Sequence, residues 1–149
     1  MKRISLFTVL CLSLIVAVIL AGCGTKSEGG SIEALSAWAR PGLQGGNSAI
    51  YLTIQNNTGS TDFLVSATCD AAKTVELHKS MMDNSGTMSM HPLQEIELPS
   101  GQSVELKPGG LHVMLIDLQR DLKVNEEIKV TLNFKNSAST TLTAPVKQP

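Results

Sequence analysis

Beyond residue 31 the chain alternates short β-prone runs with turn segments, and this pattern most constrains its fold. In "IKVTLNF" four apolar side chains, beginning at Ile128, alternate with polar ones, as expected of a strand that buries one face. Segments such as "NNTGSTD" and "KPGG" are rich in residues that form turns. No stretch has helical period over the length of an amphipathic helix. Many closely spaced short strands predict an all-β fold, an antiparallel sandwich or barrel in a single domain.

The alternation also predicts which way individual side chains point. In "TVELH", Val75 and Leu77 share one face, and His78 shares the other with Glu76. We therefore expect His78 to leave the core side and reach the surface or a rim. The predicted strands lie near Ala34–Arg40, Ala49–Gln55, Phe63–Thr68, Thr74–His78, Gln94–Leu98, Ser103–Leu106, Leu111–Leu118, Ile128–Phe134 and Thr140–Val146.

The first residues are typical of an export signal. Lys2 and Arg3 precede an apolar stretch that runs to Leu20, and the following "LAGC" ends at Cys23. This tetrapeptide resembles the bacterial lipobox, in which the cysteine is lipidated and becomes the first residue of the mature protein. We predict a lipoprotein signal peptide over residues 1–22, the lipidated Cys23 and a flexible tether over residues 23–31, and a domain over residues 32–149. An uncleaved membrane span is the alternative. Both place the domain outside the cytoplasm, anchored to a bacterial membrane on its periplasmic face or at the cell surface.

Cysteine usage argues against a fold held by disulfides, and the charge argues against a nucleic-acid-binding protein. Cys11 leaves with the signal and Cys23 carries lipid, so Cys69 has no partner for an intrachain disulfide. We interpret Cys69 as a small, partly buried hydrophobe near a strand end. The chain has 12 basic and 13 acidic residues, and two of the basic ones lie in the signal. Because no basic patch remains, nucleic-acid binding is not expected.

The histidines and methionines are confined to one window of the sequence. Apart from Met1, all of them fall between residues 78 and 114: His78, Met81, Met82, Met88, Met90, His91, His112 and Met114. Methionine used as general core filler would also appear in the other strands. Because side chains two apart on a strand share a face, His112 and Met114 project together. Neutral imidazole and thioether suit Cu(I), a soft ion, whereas Mg²⁺ and Ca²⁺ require oxygen ligands.

The segments "VELHKSMM", "GTMSMHP" and "LKPGGLHVMLIDL" resemble the PCuAC family of periplasmic copper chaperones. The resemblance extends over nearly the whole mature domain and implies a cupredoxin-like antiparallel β-sandwich of Greek-key type. It also implies that His78, Met90, His112 and Met114 are the copper ligands. The spacing from His78 to Met90 is one residue longer than usual, which leaves Met88 as a rival on the same strand face.

This resemblance implies a copper carrier and not an enzyme. Its recipient would be a copper site in a respiratory terminal oxidase, the CuA centre, reached directly through the copper-accepting subunit or with a thiol-containing assembly factor. A copper-buffering lipoprotein for tolerance would use the same site. A lipid-anchored adhesion or scaffold module without metal, and a redox copper protein, are the alternatives from other classes.

The other methionines and His91 are not among the four ligands that the resemblance implies. Met81 and Met82, with Met88, are possible accessory metal ligands that guide copper in or cover the site, or else loose side chains of an exposed turn. His91 is expected to face away on its strand, at the surface. Trp38 and Tyr51 are interpreted as core aromatic residues with no ligand contact.

Overall fold

The computed structural model describes residues 30–82 and 85–148. The predicted signal peptide, Cys23 and the tether up to residue 29 lie outside the described residues. Within the described part of the chain, no helix is long and apolar enough to cross a membrane.

Two antiparallel sheets are built from ten strands in the described residues. The strands are β1 Ile32–Ala39, β2 Ser48–Asn56, β3 Asp62–Cys69, β4 Ala72–Met82, β5 Met88–Leu93, β6 Ile96–Leu98, β7 Ser103–Leu106, β8 Leu111–Leu118, β9 Glu127–Phe134 and β10 Thr140–Pro145. One sheet has the order β1-β2-β8-β4-β5, with β7 also paired to β2, and the other has the order β10-β9-β3-β6. The predicted all-β sandwich is confirmed.

The sequence-based strands agree with the structure except in one place. The predicted bounds of β7 and β8 are those observed, and the other predicted strands start or end within a few residues of the observed ones. β5 is missing from the strands predicted by alternation, although Met88, Met90 and His91 were expected to lie on a strand; its side chains are exposed or only partly covered along its whole length. Because β5 lies at the edge of its sheet and buries neither face, its sequence lacks the apolar alternation that marked the other strands.

The hydrophobic core lies between the two sheets. Along β8, Val113, Leu115 and Leu118 are fully buried in it, whereas His112 and Met114 point to the outer face of the sheet. Cys69 lies in the core at the end of β3, as predicted, and burial raises the pKa of its thiol. The core formed by the described residues contains no methionine.

A β-bulge in β1 determines which face of the sheet carries Trp38. The pairing of β1 with β2 shifts between Leu35 and Trp38, next to Ser36, whose φ of 54° is in the left-handed region. The extra residue aligns Trp38 with Tyr51 on the outer face of the sheet and Ala39 with the core. Tyr51 is 5% exposed, so it is buried as predicted, although on the outer face of the sheet; the interpretation of Trp38, which is only partly buried, as a core residue was wrong.

Candidate metal centre

The four predicted ligands share the outer face of the larger sheet. His78 on β4 lies directly opposite His112 on β8, and Met114 lies opposite Glu76, two residues from His78. On the other side of β4, Met90 of β5 lies opposite Ser80. Since alternate residues share a face, this register gathers donors from three strands on one surface.

The two histidines are buried side by side. His78 is 9% exposed and His112 is 2% exposed, and their ring centroids are 5.8 Å apart. His78 does lie on the face opposite the core, but the expectation that it reaches the surface or a rim was wrong. The His112 ring of β8 lies beside the His78 ring, a contact between strands that alternation within β4 cannot reveal.

Each imidazole has one nitrogen whose partner fixes the position of the proton. The Nδ1 of His112 lies 3.1 Å from the carbonyl oxygen of Gly110, which can only accept, so Nδ1 donates. The lone pair then lies on Nε2, which is buried and has no hydrogen-bond partner among the described residues. A buried nitrogen lone pair without a partner is costly unless a ligand takes it.

His78 is arranged in the same way through Glu76. Its Nε2 donates to Oε2 of the Glu76 carboxylate at 2.8 Å, which leaves the lone pair on Nδ1. That atom is also buried and without a partner in the part of the chain that the structure describes. Sequence analysis did not assign Glu76 a role, although its alternation with His78 had placed the two on one face.

The thioethers line an open cavity beside the histidines. Met88, Met90, His112 and Met114 line this cavity, whose volume is about 260 Å³. Met90 is 55% exposed and Met88 is 48% exposed, while Met114 is partly buried. Because both Met88 and Met90 reach the cavity from one face of β5, the structure keeps both as candidates for the second sulfur ligand.

The other residues of the window separate by the face they occupy. Met82 pairs with Met88 on the ligand side of the hairpin, whereas Met81 pairs with Ser89 and points away from it. His91 is exposed on β5 and lies 3.0 Å from the Ser89 hydroxyl, which confirms the prediction of a surface residue.

Aromatic rings adjoin the histidine pair on the other side. The centroids of Trp38 and Tyr51 are 4.7 Å apart, and that of Tyr51 lies 6.3 Å from the His112 ring. Tyr51 also lines the cavity. Sequence analysis gave these rings no contact with a ligand residue; the bulge in β1 is what brings Trp38 alongside Tyr51.

The donor set restricts the metal that this face can hold. Among the described residues, no group of three or more His, Cys, Asp or Glu side chains is placed to bind a metal. The cavity beside His112 offers the thioether sulfurs of Met88, Met90 and Met114 as further donors. Such a set suits a soft ion such as Cu(I) and not Mg²⁺ or Ca²⁺.

Burial of His112 predicts a pH-dependent stability. Its pKa is lowered from 6.5, mainly because burial disfavours the charged ring; the nearby His78 acts in the same direction, and the Gly110 carbonyl opposes it. The unfolded chain therefore binds a proton at a pH where folded His112 does not, so the free energy of unfolding should fall as the pH drops below 6.5. Urea unfolding of the metal-free protein at about pH 7.5 and about pH 5.5 measures this decrease.

His112→Gln is the comparison variant for this measurement. Its side chain does not titrate, so its free energy of unfolding should fall less over the same pH range. An equal decrease in both proteins would contradict the assignment of the effect to His112.

Known proteins with similar sequence or structure agree with this fold. The family model of LpqE-like lipoproteins matches residues 32–146. Lxx21020 of Leifsonia xyli subsp. xyli, which is named as a lipoprotein, is 28% identical over 124 residues, covering 83% of this chain and 73% of that protein.

Two solved structures are similar over most of the chain. The copper-bound PCuAC domain from PmoF2 matches with a TM-score of 0.67 and 26% identity, over 80% of this chain and 95% of that domain. The solution structure of CuI-DR1885 from Deinococcus radiodurans matches with a TM-score of 0.58 and 26% identity, over 83% of this chain and 85% of that protein. The chain therefore belongs to the LpqE-like family, and its fold is that of the PCuAC domains.

Proposed function

We propose that this protein is an extracytoplasmic copper carrier that binds one Cu(I) ion through His78, Met90, His112 and Met114. The observation that carries the proposal is the pair of buried imidazole nitrogens, Nδ1 of His78 and Nε2 of His112, which have no hydrogen-bond partner among the described residues. His112 lines a cavity together with the thioethers of Met88, Met90 and Met114, and the His78 ring lies beside that of His112. The similar domains of PmoF2 and DR1885 are described as copper-bound and as the CuI form.

Held copper must also be released, and the geometry suits exchange. The imidazoles are fixed by hydrogen bonds and burial, whereas the Met90 thioether is half exposed on an edge strand. A partner's donor can therefore replace the methionine first while the histidines still hold the ion. Thioethers bind copper without losing a proton, so this exchange requires no acid or base.

The proposed recipient is the CuA site of a respiratory terminal oxidase. Copper would pass to it directly through the copper-accepting subunit or with the help of a thiol-containing assembly factor. This part of the proposal is supported by the PCuAC fold and by the exposure of Met90, at which a partner could reach the ion. The protein breaks no covalent bond in this transfer, so we propose a carrier and not an enzyme.

The proposed location is the outer side of a bacterial membrane. The "LAGC" segment ending at Cys23 supports lipidation, and the family and the Leifsonia relative are both named for lipoproteins. A lipid anchor would keep the domain at the membrane surface, where the copper sites of respiratory oxidases are assembled.

A redox copper protein is less consistent with this site. Blue-copper centres use a cysteine thiolate together with two histidines. The described cysteine, Cys69, lies in the core between the sheets, while the histidines face outward from the larger sheet. The outer face therefore favours the reduced ion over a stable Cu(II) state.

Anaerobic titration of the purified protein with Cu(I) against a chromophoric competitor tests the proposal. We expect one tightly held ion, and the copper K-edge X-ray absorption spectrum should show mixed nitrogen and sulfur scattering from the two imidazoles and the thioethers. Failure to retain copper against the competitor, or scattering from nitrogen and oxygen alone, would contradict it.

A further inference from the structure

Four methionines near the β4–β5 turn are exposed. Met81, Met82, Met88 and Met90 are 48 to 68% exposed, whereas the core formed by the described residues contains no methionine. Exposed apolar side chains contribute little to the stability of a fold, and a core is better packed with leucine than with methionine. Packing therefore does not explain why these four positions carry methionine. The proposed copper site uses only one of these four sulfurs.

The pairing of β4 with β5 and β8 places three of these methionines, Met82, Met88 and Met90, on the same face of the sheet as the two histidines. From the turn inward, Met82 lies opposite Met88, Ser80 lies opposite Met90, and His78 lies opposite Pro92 on one side and His112 on the other. These rows occupy one face of the sheet and are about 7 Å apart, since each step is two residues. Directly opposed side chains have Cβ atoms about 5 Å apart, so the sulfurs of Met82 and Met88 can approach one ion together.

The side chains between these rows leave space. The residue opposite Met90 is Ser80, which is small and buried, and the turn before β8 presents Gly110, whose carbonyl accepts from the Ser80 amide. The Met88 methyl lies 4.0 Å from the position that a Cβ on Gly109 would occupy, and Met88 lines the same cavity as Met90 and His112. The cavity thus extends from Met88 past Ser80 and Met90 to His112.

We propose that Met82 and Met88, which lie opposite each other and of which Met88 lines this cavity, form a second, weaker site for Cu(I), from which the ion passes by way of Met90 to the histidines. The inference rests on the proposed copper-carrier function. Two neutral thioethers bind a soft ion without the anchoring imidazoles, so the ion is held loosely. Methionine has three rotatable side-chain bonds, which allow the sulfurs to move an ion across a step of about 7 Å. Met81 faces the other side of the hairpin and takes no part.

Methyl NMR of the purified protein labelled at the methionine methyl groups tests this second site. During an anaerobic Cu(I) titration, the first equivalent should shift the methyl signals of Met90 and Met114. The second equivalent should shift those of Met82 and Met88 and leave Met81 unchanged.

The double variant Met82→Leu with Met88→Leu removes both sulfurs of the proposed second site. Leucine is close to methionine in volume, and both positions are exposed, so the fold should not change. Affinity for the second ion should fall by about tenfold or more while affinity for the first is kept. The rate at which the first ion passes to a chelator should also fall. Met81→Leu, equally conservative and on the opposite face, should behave as wild type.

The outcomes separate the two proposals. If the first equivalent is not retained, the copper-carrier function fails. If it is retained but the second equivalent leaves the Met82 and Met88 signals unmoved, the second site is overturned. It is also overturned if the double variant loses affinity for the first ion as Met90→Leu does, because Met88 would then be a ligand of the main site. An effect of Met81→Leu equal to that of the double variant would overturn the assignment to one face.

Discussion

Replacing His112 and Met114 together with alanine should lower the affinity for Cu(I) by about 100-fold or more. Loss of a residue that only orients a metal ligand costs roughly 10 to 100-fold, and this variant removes two direct donors from one strand. It removes the imidazole whose Nε2 is buried and without a partner among the described residues, together with a thioether of the same cavity. Competition titration under anaerobic conditions measures the loss.

The matched control for this variant is His91→Ala. His91 belongs to the same stretch of sequence but is exposed and lies beside the Ser89 hydroxyl, so its replacement should leave the affinity unchanged. Undiminished binding by the His112→Ala, Met114→Ala protein, with thermal unfolding showing that it is folded, would remove both residues from the site.

Leu115→Ala should destabilise the folded protein strongly. Leu115 is fully buried between the sheets, and removing three carbons from such a position costs about 3 kcal/mol of the free energy of unfolding. Leu43→Ala makes the same chemical change at a residue that is 75% exposed, so it should cost less than about 0.5 kcal/mol. Urea unfolding of the wild type and both variants, all metal-free, gives the two values.

The Leu115 variant also tests the separation of core and site. Leu115 points inward while its neighbours on the ligand face point outward, so the folded variant should bind Cu(I) with the affinity of the wild type. A cost no larger than that of Leu43→Ala would contradict the position of the core, and a loss of copper affinity in the folded protein would contradict the separation.

Local sequence patterns predicted most of the strands and the face of the sheet on which His112 and Met114 lie. Turn residues delimited β7 and β8, and period-two alternation placed His112 and Met114 on the face opposite Val113 and Leu115. These features depend on neighbours in sequence. Alternation did not mark β5 as a strand because it is an exposed edge strand that contains Pro92, and so it carries neither a buried face nor the usual composition of a strand.

Contacts between distant parts of the chain could not be predicted from local pattern. The burial of His78 depends on the register that sets it opposite His112, and nothing near His78 in sequence encodes that pairing. Trp38 reaches the outer face because of a bulge at Ser36. A positive φ is uncommon for serine, so the sequence does not indicate the bulge as a glycine there would. The partners that fix the two imidazole tautomers, Glu76 and the Gly110 carbonyl, became evident only with the fold.

The alternation along β8 gives this scaffold an evolutionary freedom. Val113 and Leu115 pack in the core, while positions 112 and 114 carry two of the proposed copper donors and lie outside the core between the sheets. Selection for folding and selection for the proposed bound ion would therefore act on separate sets of residues in one strand. A descendant could exchange the outward side chains, and with them the choice of ion, without first rebuilding the sandwich that presents them.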